Sequence, residues 1–194
     1  MRNNYLKFFL LLGLVTVSLN LVNTVYAADD SIKESKPSKA ENSQLEKVIY
    51  PEFKLFSPKI IDTKKFDVLT IVHLSVKAAD HSDAFVIVTP ENKVIDIDNY
   101  ALLSNIDIKK NSQYSKLAEK NPNISIWPGN HDYPKFEKLA DGALQLQFNY
   151  RLLNGCHACA VGGVAVVGFN FDVKGELINT TLIDLLPPSV PDNN

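Results

Sequence analysis

Residues 143–186 read ALQLQFNYRLLNGCHACAVGGVAVVGFNFDVKGELINTTLIDLL, and this stretch decides the fold. It contains three apolar runs, 143–153, 161–171 and 177–185, separated by two turn-forming clusters. In the first run Leu144, Leu146, Phe148, Tyr150 and Leu152 alternate with Gln145, Gln147, Asn149 and Arg151. Side chains of a strand point alternately to opposite faces, so this run buries one face and leaves the other to polar surroundings. The second run carries Ala165, Val167, Phe169 and Phe171 on one face and Val164 and Val166 on the other, the pattern of a central strand. Gly162, Gly163 and Gly168 within it predict a bulge or a close backbone approach. Asp172-Val173-Lys174-Gly175 reads as a turn with Gly175 at positive φ, and Pro187-Pro188 ends the third run. The expectation is a three-stranded β-meander at 143–186 with Cys156-His157-Ala158-Cys159 at its first tip.

Upstream the signals are shorter. Residues 84–89 and 94–98 are β-rich runs joined by Pro90-Glu91-Asn92-Lys93, as in a hairpin. Residues 66–76 fit a buried strand or a helical stripe, and their β-branched content favours strand. Residues 112–120 predict a short helix capped by Asn111 or Ser112 and stopped before Asn121-Pro122. Residues 123–127 suit a short strand, and 128–134 read as loop. Residues 50–59 mix aromatics with Pro51 and Pro58, which predicts an extended segment lying on the domain. Together these features describe one α+β domain, dominated by antiparallel sheet, with one or two short helices.

The first 27 residues read as a targeting segment. Arg2 and Lys7 form a basic start, residues 8–17 are largely apolar, and Val25-Tyr26-Ala27 offers small residues for cleavage before Ala28. The apolar run is too short and interrupted for a convincing spanning helix. Residues 28–49 are mainly polar and charged and predict a flexible linker, with one helical turn near 41–47; the domain then occupies 50–194. The expected localisation is periplasmic or secreted, without an integral membrane segment after cleavage. The chain has 20 basic and 22 acidic side chains and no basic block, so nucleic acid is not an expected partner.

Export makes a disulfide the expected state of Cys156 and Cys159. A redox pair would need its first cysteine at a helix N-terminus, whereas strand and turn residues surround this one. A zinc site would need two further ligands from His73, His81, His131 or His157, and no spacing gathers them. Over residues 148–175 the layout resembles the vertebrate-type lysozyme inhibitor family, secreted proteins with a disulfide-closed, histidine-bearing turn between strands. That resemblance implies an inhibitory role for His157. The family's loop has more residues between its cysteines than the two found here.

Gly129-Asn130-His131-Asp132 resembles the G-N-H-D/E element of metallophosphoesterases. The companion motifs depart from that family: Ile71 stands where its first ligand aspartate would be, 79–83 only approximates the next motif, and the closing G-H-x-H is absent. A two-metal centre is therefore not expected. The plain alternative is a turn-rich loop that leaves His131 and Asp132 in solvent. His73, inside an apolar run, reads as a hydrogen-bonded core or surface histidine and not as a ligand. Asp80, Asp83, Asp96 and Asp98 read as turn and strand-edge residues.

The resulting expectation is an exported binding or inhibitor-like module for a protein or small-molecule ligand of the cell envelope. His157, Trp127, His131 and Tyr133 are its candidate binding residues, with no catalytic residue, metal or cofactor assigned. The alternative is a thiol–disulfide or metal-handling protein using Cys156, His157 and Cys159. The sequence carries no motif that establishes an enzyme.

Overall fold

The computed structural model describes residues 38–77, 83–129, 131–156 and 158–188. The expected leader at 1–27, residues 28–37 of the expected linker, Asp80, His81, Asn130 and His157 lie outside these.

Two antiparallel sheets carry the fold. Sheet A orders β1 (Lys59–Phe66), β2 (Leu69–Ser75), β3 (Asp83–Val88) and β4 (Val94–Asp96) as a simple meander. Sheet B contains β5 (Ile124–Trp127), β6 (Lys135–Lys138), β7 (Leu144–Asn154), β8 (Val161–Phe171) and β9 (Leu177–Leu186). Its order is β5-β7-β8-β9, with β6 also pairing to β7. The three C-terminal strands pair consecutively as expected, but they belong to a five-stranded sheet. The additional strands come from 124–127 and from 135–138, the latter too short and charged to stand out in the sequence.

Alternation places the faces. Leu69 and Ile71 of β2, Phe85 and Ile87 of β3, and Ile95 of β4 meet Leu144, Leu146, Phe148, Tyr150 and Leu152 of β7 and Val167, Phe169 and Phe171 of β8 in one core. The opposite face of sheet A supplies Val72, Leu74, Val76, Ala84, Val86 and Val88. Helix α1 (Lys39–Phe53) covers this second face through Leu45, Val48, Ile49 and Phe53. The layers are thus helix, sheet, sheet, and β2 and β3 are apolar on both faces because both are covered.

Helix α1 corrects two expectations. Residues 39–49, read as linker with one helical turn, are fully helical, and 50–56 continue as α- and 3-10 helix instead of extended chain. Composition misses the helix because its apolar stripe is narrow and its moderate signal is completed by sheet A; Ile49 ends fully buried. A capping box sets its start: Ser38 accepts from the Glu41 backbone N–H at 3.2 Å, and Glu41 accepts from the Ser38 N–H at 2.9 Å. These bonds hold the Glu41 carboxyl below its ordinary value.

Other elements follow expectation more closely. Helix α2 (Tyr100–Leu103) follows β4, and helix α3 (Tyr114–Lys120) runs up to Asn121. The side chain of Asn111 accepts from the Gln113 N–H just before α3, at 2.8 Å, but Gln113 occupies the N-cap without a side-chain cap bond, so neither Asn111 nor Ser112 caps the helix as expected. The β7–β8 register shifts between Leu152 and Leu153, which makes Gly162 the extra residue of a bulge. Gly175 has φ +85°, and a Cβ there would lie 2.8 Å from Pro90 Cδ and 3.1 Å from Val68 Cγ2. The β8–β9 turn therefore abuts the hairpin turns of sheet A, and a side chain is excluded on both conformational and spatial grounds.

Candidate functional site

The strap 128–134, between β5 and β6, organises the candidate site. β5 pairs with β7 at residues 151–154 and β6 pairs with it at 144–147, so the β7 edge has a gap centred on Asn149. The strap crosses this gap. His131 Nδ1 lies 3.0 Å from the Asn149 carbonyl oxygen and donates to it, supplying the bond that a strand residue would have made. Its Nε2 lies 2.7 Å from Asp98 Oδ1, which also accepts the Gly129 N–H at 2.9 Å. Asp98 follows β4, so one imidazole ties the two sheets together.

This arrangement corrects the picture of a solvated His131: its side chain is 1% exposed. The ring packs edgewise on Tyr150 and Phe148, with centroids 4.5 and 6.1 Å away. Nε2 faces the Asp98 carboxyl at hydrogen-bond distance, and Nδ1 is committed to a carbonyl. A histidine acting as general base needs a nitrogen within reach of the proton it removes. Both nitrogens of His131 are engaged, so its role is to position the strap. Beneath it the Tyr150 hydroxyl donates to the Ile97 carbonyl at 2.7 Å. Burial, with Asp98 and Asp96 nearby, raises this phenol well above its ordinary value.

Two residues on, Tyr133 fastens the strap to sheet A. Its hydroxyl donates to Asp62 Oδ2 at 3.0 Å, its ring meets Phe85 edgewise at 5.2 Å, and Lys64 Nζ lies 4.1 Å from the ring centroid. Asp62, His73 and Phe85 are register neighbours across β1, β2 and β3. Tyr133 thus fastens the strap to one transverse row of sheet A, and His131 fastens it to Asp98 beyond β4. His73 lies in that row, stacked on Phe85 at 4.5 Å, with Nε2 3.6 Å from Asp83 Oδ1. That distance is beyond a hydrogen bond and Nε2 has no partner, so this nitrogen departs from the expected hydrogen-bonded histidine, whose ring stacks on Phe85.

Between these inward residues, Asp132 is exposed. It lines a cleft of about 290 Å³ with Tyr133, Lys135, Gln147, Asn149 and Val166. Lys135 and Gln147 are paired across β6 and β7, and Asn149 and Val166 across β7 and β8, on the sheet face turned away from the core. Trp127, half-buried, pairs with Arg151, two residues along β7 from Asn149 and on the same face. Residues 128–134 were legible as loop; the role of Gln147 and Asn149 was not, because alternating amides on a strand mark only a solvated face.

A ladder of side-chain amides orders that face. Gln147 Nε2 donates to Glu137 Oε2 at 2.9 Å and to Gln145 Oε1 at 2.7 Å. Gln145 Nε2 donates to Asn170 Oδ1 at 2.7 Å, and Asn170 Nδ2 donates to Asn179 Oδ1 at 2.7 Å and Thr181 Oγ1 at 3.0 Å. Four strands take part. Gly168 makes room, since a Cβ there would come 2.9 Å from Ile183 Cδ1 and 3.1 Å from Gln145 Cδ.

The cysteines form the expected disulfide, with Cα atoms 5.1 Å apart, in a turn between strands. The turn is braced by the Asn154 side chain, which accepts from the Asn123 N–H at 3.0 Å. Asn154 lies five residues along β7 from Asn149, about 17 Å at strand rise. The two expected binding loops are therefore at different ends of the strand. No group of three or more metal-ligating side chains occurs among the described residues. None of the described helices is long and apolar enough to cross a membrane.

No protein-family model, curated protein or solved structure matches this chain.

Proposed function

We propose that this protein is an exported binding module whose ligand site is the cleft beside the strap 128–134. The observation that carries this reading is the strap itself. Its inward residues, His131 and Tyr133, are each fixed by hydrogen bonds to another segment, while Asp132 faces out beside Lys135, Gln147 and Asn149. A surface whose groups are already ordered loses little freedom on binding, and this is the physical advantage of a preformed site. Trp127 flanks the site, and His131 and Tyr133 position it. The disulfide stiffens the far hairpin tip.

Export is part of the proposal and is supported by the leader-like first 27 residues and by the disulfide. The thiol–disulfide alternative lacks the helix N-terminus that would activate a thiol, since strands β7 and β8 flank the pair.

Amide NMR spectra of the labelled protein, recorded while small-molecule fractions of a cell-envelope extract are added, test the reading. Saturable shifts should cluster at Asp132, Lys135, Gln147 and Asn149 and vanish in Asp132→Ala/Lys135→Ala. Perturbations confined to the 155–160 turn, or none at all, would reject the cleft as the site.

A further inference from the structure

From the chemistry of the cleft we infer that its ligand is a neutral saccharide, an inference that rests on the proposed binding role. The cleft brings one carboxylate, Asp132, and one ammonium, Lys135, so it carries no strong bias towards an anion or a cation. Neither residue has an ion pair within 4.0 Å among the described residues, and both are exposed to a ligand. The remaining polar lining is planar amide, from Gln147 and Asn149, and the rest is Val166 and Tyr133. A pyranose ring presents this combination in complement: hydroxyls that donate and accept at its rim, and an apolar C–H face.

The amide ladder makes the site directional. Both hydrogens of the Gln147 amide are used, on Glu137 and Gln145, which leaves its carbonyl oxygen to accept from a ligand hydroxyl. The chain of bonds onward to Asn170 and Thr181 fixes which way each amide points and polarises its members. A volume of about 290 Å³ falls at the lower end for small-molecule sites, about 300 Å³, so one sugar unit of a longer chain would occupy it.

The strap also argues against an extended peptide. Strand addition needs an unpaired backbone edge, and the Asn149 carbonyl, in the gap of the β7 edge, is already taken by His131. Alternating side-chain pockets are absent from the cleft lining, whose one aliphatic residue is Val166.

The side-chain NH₂ resonances of Gln147 and Asn149 provide a direct readout in the intact, disulfide-bonded protein. The probes are a β-1,4-linked glucose hexasaccharide, its N-acetylglucosamine counterpart and, as a contrast, a tetra-alanine peptide. At least one saccharide should shift both resonances saturably, and Asn149→Ala, an exposed substitution, should weaken that binding by about tenfold, the loss of one net hydrogen bond. Added salt should leave the affinity unchanged, as expected for an uncharged ligand. Shifts at these resonances with the peptide alone would overturn the saccharide assignment while leaving the binding role standing. Saccharide binding that Asn149→Ala does not weaken, or no response to either sugar, would overturn the assignment; silence towards extract fractions as well would remove the binding role with it.

Discussion

His131 shows how a single side chain replaces a missing stretch of strand. It satisfies the Asn149 carbonyl on sheet B and reaches Asp98 beyond sheet A from a nearly solvent-free position. Removing it strands a carbonyl and a carboxylate together, and breaking a buried pair by losing one partner costs about 3 kcal/mol. His131→Ala should therefore lower the urea midpoint by that equivalent and loosen the strap, visible as faster hydrogen exchange at Gly129; a surface-like cost below about 0.5 kcal/mol would contradict the brace. Tyr150 supplies a pH signature. Its folded-state value is raised, so the unfolded chain releases the phenolic proton first. The associated stability is fully present below about pH 10 and is lost as pH rises towards the folded value. Tyr150→Phe should cost about 1 kcal/mol at neutral pH, from the lost bond to Ile97, yet flatten the alkaline decline. Urea titrations of both proteins between neutral pH and pH 11 check this; parallel curves would refute it.

Among the elements, β8 is a central strand, flanked by β7 on one side and β9 on the other. Its glycines are not equivalent. A Cβ on Gly163 would lie 2.6 Å from the Leu186 backbone oxygen, whereas one on Gly168 would meet the ends of the Ile183 and Gln145 side chains. Side-chain ends rotate away; a paired backbone cannot. Gly163→Ala should cost about 3 kcal/mol and Gly168→Ala about 1 kcal/mol, within the range for overpacking. Equal costs in chemical denaturation would show that the β9 backbone yields more readily than its pairing implies. Helix α1 illustrates the converse, an element with a modest local signal that is completed by the apolar face of sheet A.

For the molecule as a whole, stability resides in the two-sheet core and the helix-covered face, not in the disulfide. The Cys156–Cys159 bond spans a sequence separation of three, and closing so short a loop removes little unfolded-chain entropy, less than about 2 kcal/mol. Replacing both cysteines with serine should leave a folded protein whose melting temperature drops by no more than about 8 °C. Because the bond lies about 17 Å or more along β7 from Asn149, cleft affinity should be unchanged in the same variant. Calorimetry and the saccharide titration measure the two effects separately. A global collapse on removing the cysteines would mean that the tip, and not the sheet sandwich, holds the fold.

The local pattern of the chain was sufficient for strands β7, β8 and β9, the β3–β4 hairpin, helix α3, the glycine turn at 175 and the cysteine pairing. Each of these rests on interactions between residues close in sequence or on a two-fold alternation that burial enforces. Packing alone decided the rest. The length of α1 depends on a sheet face assembled from residues 72–88, and the recruitment of β5 and β6 depends on an edge of β7 that both share. The meeting of Asp62, Asp98, His131, Tyr133 and Asn149 joins segments 18 to 71 residues apart. No periodicity records such contacts, because a loop histidine that will be buried and one that will be solvated have the same neighbours in sequence and differ only in what folds over them.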